Sequence, residues 1–238
     1  MEEHVDVSIV IACYNEAGHL EESVRQIHRT MSGTRYSYEL IFVDDGSADS
    51  TRDIISRISK EDGRSRFLFH EVNEGRGKAV TDGLRMARGK VAGFVDIDLE
   101  THARYIPPLV AEILDGADVA CAWRIYKTRL DSITRWIANR GYNLLVRYYL
   151  GLKFMDTETG FKFFNREKIL PILDDIVEKH WFWDTEIIAL AHLNGLKIVE
   201  VPTLYIRRHD KKSTVKVLKD SLYYFRKIIS FKQRMKSG

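Results

Sequence analysis

The chain has 238 residues, 45% hydrophobic and 30% charged, which excludes a disordered polymer and bounds the fold at one large domain. No stretch approaches the roughly 18 apolar residues that span a bilayer, and residues 1–6 carry acids rather than the basic start of a signal peptide. The net charge of +3 hides a split, because Leu204 to Gly238 holds 11 Lys/Arg against 2 Asp/Glu and leaves the rest net acidic.

The first half alternates short apolar runs with polar, helix-like stretches. Val7–Cys13, Glu39–Val43, Phe67–Val72 and Val91–Val95 are expected strands, with helices over 16–31, 50–59 and 78–87. That alternation predicts an α/β fold, a mostly parallel open sheet with helices on both faces. Asp118–Trp123 reads as a further strand. Ile133–Leu150 follows as an amphipathic helix, with Trp136, Ile137, Leu144, Leu145 and Tyr148 at helical spacing that suits a core. Gly160–Phe164 and Leu196–Val201 are expected late strands around a helix over 184–192. No repeat, linker or low-complexity segment appears. The simplest division is a domain over 1–204 and a basic amphipathic extension over 205–238.

In that extension Leu218, Leu222, Phe225 and Ile229 recur at helical spacing, amid Lys219, Arg226, Lys227, Lys232, Arg234 and Lys236. A basic amphipathic tail asks for an anionic partner, lipid or nucleic acid. A stripe packed on the protein's own body, or on a partner subunit, would give the same pattern. Cys13 and Cys121 lie in apolar runs and are expected as buried free thiols, which fits a cytoplasmic location.

Three polar clusters fall at strand ends: Tyr14-Asn15-Glu16, Asp44-Asp45-Gly46-Ser47 and Asp96-Ile97-Asp98-Leu99-Glu100. In an open parallel sheet ligands bind beyond the carboxyl ends of the strands, so all three would line one crevice. If the last cluster is extended, Asp96, Asp98 and Glu100 project to one side, and three such carboxylates need a cation. Mg²⁺ or Mn²⁺ is the natural choice, as a hard ion that also bridges to phosphates. A solvated acidic loop is the competing reading, disfavoured by the apolar strand before it. Asn73-Glu74-Gly75-Arg76-Gly77-Lys78 is glycine-rich, opens a helix and could approach a nucleotide. A dinucleotide-type Gly-x-Gly-x-x-Gly after the first strand and a Walker-type Gly-Lys-Ser/Thr are both missing, which disfavours hydride transfer and P-loop chemistry.

The ordered set Val10–Glu16, Val43–Ser47, Asn73–Lys78 and Asp96–Asp98 resembles family 2 glycosyltransferases of the GT-A fold. Trp123-Arg124, Arg135–Asn143 and Asp156-x-x-Thr159-Gly160-Phe161 are similar to the dolichyl-phosphate mannose and glucose synthases within it. Gly160–Phe164 with Phe182–Glu186 leans towards the glucosyl branch. The resemblance spans nearly the whole chain. It implies that Ala12, Tyr14, Glu16 and Asp44 hold the nucleoside, Asp44 accepting from the base, with Asp45 and Lys78 in the donor site. It implies Asp96, Asp98 and Glu100 as metal ligands, although relatives often carry Gln at the third position. Arg124, Arg135 and Asn139 would receive an acceptor phosphate, and Arg208 would contact the donor diphosphate. Relatives often read Ser-Lys where this chain has Ser213-Thr214, so the family lysine is replaced, with Lys212 and Lys216 the candidates.

The implied reaction moves a hexose from a GDP-mannose or UDP-glucose type donor to a polyprenyl or dolichyl phosphate, with inversion. Asp98, Arg124, Arg135 and Arg208 would carry the chemistry. The implied setting is peripheral, at the cytoplasmic face of a membrane, with lipid or a membrane protein meeting the tail and no nucleic-acid partner. Two alternatives are a family 2 enzyme acting on a polysaccharide, protein or lipid-sugar hydroxyl, and a non-catalytic nucleotide-sugar-binding membrane adaptor.

Overall fold

The computed structural model describes residues 5–126, 133–206 and 217–237, with side chains for 5–126, 140–206 and 223–235. Arg208 and residues 212–216 fall outside, as do the side chains of Arg135, Asn139, Leu218, Lys219, Leu222 and Lys236.

In chain order the elements are β1 (Val7–Cys13), α1 (Leu20–Ser32), β2 (Tyr38–Asp44), α2 (Thr51–Glu61), β3 (Ser65–Phe69), α3 (Arg76–Met86) and β4 (Val91–Val95). Then come α4 (Ile106–Leu114), β5 (Val119–Tyr126), α5 (Ile133–Leu150), β6 (Phe161–Asn165), α6 (Arg166–Ile169), α7 (Trp183–Leu193), β7 (Ile198–Tyr205) and α8 (Val217–Ser237). Seven strands form one sheet in the order β3-β2-β1-β4-β6-β5-β7. All neighbours are parallel except β6, which runs antiparallel to both β4 and β5. The open, mostly parallel sheet expected from the sequence is therefore present.

The central strands are mostly apolar because both faces of the sheet are covered. Alternate residues of β1 divide between the two layers. Ile9 and Ile11 join Leu20, Val24 and Ile27 of α1 and Ile106, Leu109 and Val110 of α4 on one face. Val10 joins Val80 and Leu84 of α3, Tyr142 and Val146 of α5, Trp183 and Ile187 of α7, and Ile228 and Phe231 of α8 on the other. The Tyr142 and Tyr224 rings meet edge-on, 4.9 Å apart, where α5 crosses α8. Among the described residues no helix is long and apolar enough to cross a membrane.

Two differences from the sequence expectations have clear causes. Helix α4 was not expected; Pro107 and Pro108 sit in its first turn, where a missing N–H leaves no intrahelical bond unmade. Strand β3 spans Ser65–Phe69 rather than 67–72, because the chain leaves the sheet at His70. That ring is buried between the carboxylates of Asp45 (2.9 Å) and Asp82 (3.1 Å).

Candidate active site

The three polar clusters lie at the same end of the sheet, following the parallel strands β1, β2 and β4. β1 and β2 are parallel and in step to Cys13 opposite Asp44, so the loops that follow them leave side by side. They are laced together. Ser47 Oγ accepts from Asn15 N at 2.8 Å, Asn15 Oδ1 accepts from Ala48 N at 2.8 Å, and Thr51 Oγ1 accepts from Glu16 N at 2.9 Å. Tyr14 stands half exposed at the rim, while Ala12 lies partly buried near the end of β1.

Asp44 is fully buried, and Arg52 Nε and Ser47 N donate to its Oδ2 at 2.7 and 3.1 Å. Its Oδ1 is buried with no hydrogen-bond partner. A buried acceptor left without a donor costs on the order of 1–3 kcal/mol.

Asp45 and Lys78, expected in the donor site, face other groups. Asp45 accepts from Glu74 N (2.8 Å), Gly75 N (2.9 Å) and the His70 ring, and thereby pins the glycine-rich loop. Lys78 is paired with Asp82 one turn along α3. Gly75 has φ 111°, and any side chain there would strike Lys179 O and His180. This loop is a packed seam between β2 and the segment before α7.

The acidic cluster departs from its expected form. Residues 96–100 make a turn closed by Leu99 N donating to Asp96 O at 3.1 Å, with Leu99 at φ 49°. Ile97 and Leu99 are buried while Asp96, Asp98 and Glu100 remain partly exposed, so the alternation survives although the extended backbone does not. The three carboxylates line one small cavity with Arg124, Thr159 and Tyr205. They do not form a cage: among the described residues, no three His, Cys, Asp or Glu side chains come together closely enough to hold an ion. Each of the three is met by other groups, Asp98 Oδ1 accepting from Glu100 N at 3.3 Å. Arg76 Nε and Nη2 donate to Asp96 Oδ1 at 2.9 and 2.6 Å. Tyr205 donates its hydroxyl to Glu100, and burial together with that carboxylate pushes the phenol well above its ordinary range. The donor set still suits a hard divalent ion that would take part of its shell from a diphosphate, since its groups are carboxylate oxygens in one cavity.

Arg124 reaches the same cavity from β5. Its Nε and Nη2 bind the two oxygens of buried Asp156 at 2.6 and 2.8 Å, a bidentate fork. The guanidinium lies 5.9 and 5.8 Å from the Tyr126 and Tyr205 ring centres. Although burial disfavours its charge, Asp156 holds Arg124 firmly protonated. Thr159 Oγ1, on the same cavity wall, is buried without a partner.

Sequence reasoning overlooked Arg76, Lys162 and Tyr205. One signal was present: Lys162 stands in the middle of Phe161-Lys162-Phe163-Phe164, and a charge inside a central strand must have a partner. That partner is Asp184, at 2.8 Å.

A sequence profile described as glycosyl transferase family 2 matches residues 8–171. Glycosyltransferase AglD of Haloferax volcanii is 33% identical over 213 residues, covering 87% of this chain and 34% of that protein. Dolichyl-phosphate beta-glucosyltransferase of Dictyostelium discoideum is 28% identical over 215 residues, covering 84% and 66%. An undecaprenyl-phosphate 4-deoxy-4-formamido-L-arabinose transferase of Salmonella choleraesuis is 28% identical over 225 residues, covering 94% and 64%. The chain thus spans about a third of the first relative and just under two thirds of the others. Among solved structures, glucosyl-3-phosphoglycerate synthase from Mycobacterium tuberculosis in complex with Mn²⁺, UDP and glucosyl-3-phosphoglycerate superposes with a TM-score of 0.65 at 22% identity, over 95% of this chain and 78% of that one. The same enzyme with Mg²⁺ and UDP gives 0.67 at 21% identity, over 95% and 78%. At that identity the likeness establishes a GT-A type of fold.

Proposed function

The chain belongs to glycosyl transferase family 2, and from that premise we propose that it transfers a hexose from a nucleoside-diphosphate sugar to a polyprenyl phosphate, inverting the anomeric carbon. The observation that carries this reading is the cavity beyond the strand ends, lined by Asp96, Asp98, Glu100 and Arg124 together. Two of the relatives, named for dolichyl and undecaprenyl phosphate, support the acceptor class.

In this reading Asp44 Oδ1 accepts from the nucleobase and Tyr14 flanks it. Asp98 and Glu100 would hold Mg²⁺ or Mn²⁺, which would supply charge stabilisation to the departing diphosphate. Arg124 lies across the cavity from the acidic turn, braced by Asp156, to receive the acceptor phosphate with Arg135 and Asn139. Arg208, which lies outside the described residues, would contact the donor diphosphate. A phosphate oxygen is already anionic at neutral pH and needs no general base, so catalysis reduces to orientation and charge stabilisation. A hydroxyl acceptor would instead require a carboxylate base. The proposed setting is peripheral, at the cytoplasmic face of a membrane.

The test is a screen of UDP-glucose and GDP-mannose against a short-chain polyprenyl phosphate, with the anomer of the product assigned by NMR. Transfer to the phosphate with inversion is expected, UDP-glucose being the first donor to try. Transfer only to sugar or protein hydroxyls would overturn the acceptor assignment. Donor binding without transfer or hydrolysis would favour the adaptor alternative.

A further inference from the structure

Asp96 opens the acidic turn, yet a cation of the protein's own already sits on it. Arg76 spans two carboxylates, with Nε and Nη2 on Asp96 Oδ1 and Nη1 on Asp184 Oδ2 at 2.8 Å. Lys162 is fully buried and donates to Asp184 Oδ1 at 2.8 Å and also to Thr159 O. The guanidinium is held between the Phe94 and Trp181 rings, 5.3 and 5.5 Å from their centres.

The arrangement is unequal in an informative way. Asp184 is buried and needs a counter-charge, but Lys162 alone meets that need. Arg76 is therefore in excess at Asp184, and its two remaining donors converge on a single oxygen of Asp96. Asp96, by contrast, is partly solvated at the cavity wall and would not need a partner in order to fold. A cation fixed there opposes a second cation entering the same turn, because like charges in a partly desolvated cavity repel. A nucleoside diphosphate entering the cavity brings negative charge that offsets this repulsion.

We propose that Arg76 is a positioning residue that serves as the resident counter-cation of the donor site: it stands on Asp96 and makes divalent-cation entry depend on the nucleoside diphosphate. This rests on the metal-using reading of the site and adds an order of binding to it. The metal ion would then enter productively only together with the donor.

The experiment titrates Mn²⁺, followed by the EPR signal of the free ion, into the wild type, Arg76→Gln and Arg76→Lys, with and without saturating UDP. The wild type is expected to bind Mn²⁺ weakly alone and tightly with UDP. Arg76→Gln should bind Mn²⁺ alone at least about tenfold more tightly, lose most of the coupling to UDP, and turn over poorly. Arg76→Lys keeps the charge, so it should keep the wild-type Mn²⁺ behaviour while losing turnover with the fork. A folded Arg76→Gln whose Mn²⁺ affinity is unchanged or lower overturns the proposal. Should that variant not fold, the wild type decides, since equal Mn²⁺ affinity with and without UDP overturns it too. No Mn²⁺ binding even with UDP would sink the metal-using reading itself.

Discussion

Gly160 lies directly beneath the first carboxylate of the acidic turn: its carbonyl accepts from Asp96 N at 2.9 Å, and a Cβ placed on it would overlap the Asp96 carboxylate. Gly160→Ala must therefore push Asp96 off Arg76 or deform the turn. We expect a loss of stability of about 1–3 kcal/mol from overpacking and a larger loss of turnover, read by thermal melts beside donor-hydrolysis rates. Wild-type turnover in Gly160→Ala would show that the position of Asp96 is unimportant. Asp98→Asn removes one anionic ligand while nearly preserving shape, so turnover should fall roughly 100-fold or more with UDP–Mn²⁺ binding weakened and the fold intact. Full activity of that variant, or of the wild type in excess chelator, would refute a metal role. At Arg124, lysine keeps the charge but cannot fork. Arg124→Lys should raise the KM for polyprenyl phosphate and leave UDP binding alone, which calorimetric titration of the two ligands would separate; a defect in UDP binding would contradict the assignment to the acceptor.

Between Tyr223 and Arg234 helix α8 packs as part of the body. Ile228 and Phe231 are buried in the core, Lys227 pairs with Glu178 at 2.6 Å, Tyr223 donates to Glu178 at 3.1 Å, and Arg234 pairs with Glu186. Burial pushes the Glu178 carboxyl up, but hydrogen bonds from Lys227, His180 N and Tyr223 outweigh it and hold the group below its ordinary 4.5. A depressed carboxylate pKa gives stability that is complete above the unfolded value and lost as pH falls through the folded one. Hydrogen exchange in α8 should therefore accelerate below about pH 4.5, and Glu178→Gln should remove that part of the acid dependence; an unchanged acid profile would contradict the clamp. Legibility in the sequence divides along the same line. Strand β4 matches its expected bounds as a continuous apolar run and helix α5 as a periodic one, although Leu144 and Tyr148, expected in the core, are exposed; the acidic turns are readable because like charges cluster locally. The Arg76–Asp184 pair joins residues 108 apart in sequence and leaves no local pattern. The pairing of Lys227 and Arg234 with acids is hidden likewise, since a basic helix reads the same whether its charges face lipid or protein.

At the scale of the molecule, β6 separates two halves of the sheet. β1, β2 and β4 carry the loops assigned to the donor, while β5 and β7 carry Arg124 and Tyr205; the antiparallel β6 between them slides Gly160 under Asp96. In the proposed reaction an acceptor anchored in lipid would have to reach Arg124 on β5, which turns attention to the exposed surface of α5 and α8. There Tyr148, 81% exposed, meets the Tyr149 ring, which meets Phe225 at 5.7 Å and lies under Lys232 Nζ at 5.4 Å, with Leu144 exposed nearby on α5 and Arg226 exposed on α8. Tyrosines beside lysine and arginine suit the headgroup layer of an anionic bilayer. Each nearby base adds on the order of 1 kcal/mol to such binding, so two single changes should suffice to test it. Tyr148→Asp and Lys232→Glu should each reduce co-sedimentation with phosphatidylglycerol vesicles and leave hydrolysis of the soluble donor and the melting temperature close to wild type. Wild-type binding should weaken as salt rises. An intact protein that ignores such vesicles at low salt would leave this face without a lipid role, and the acceptor would have to be delivered by a partner protein.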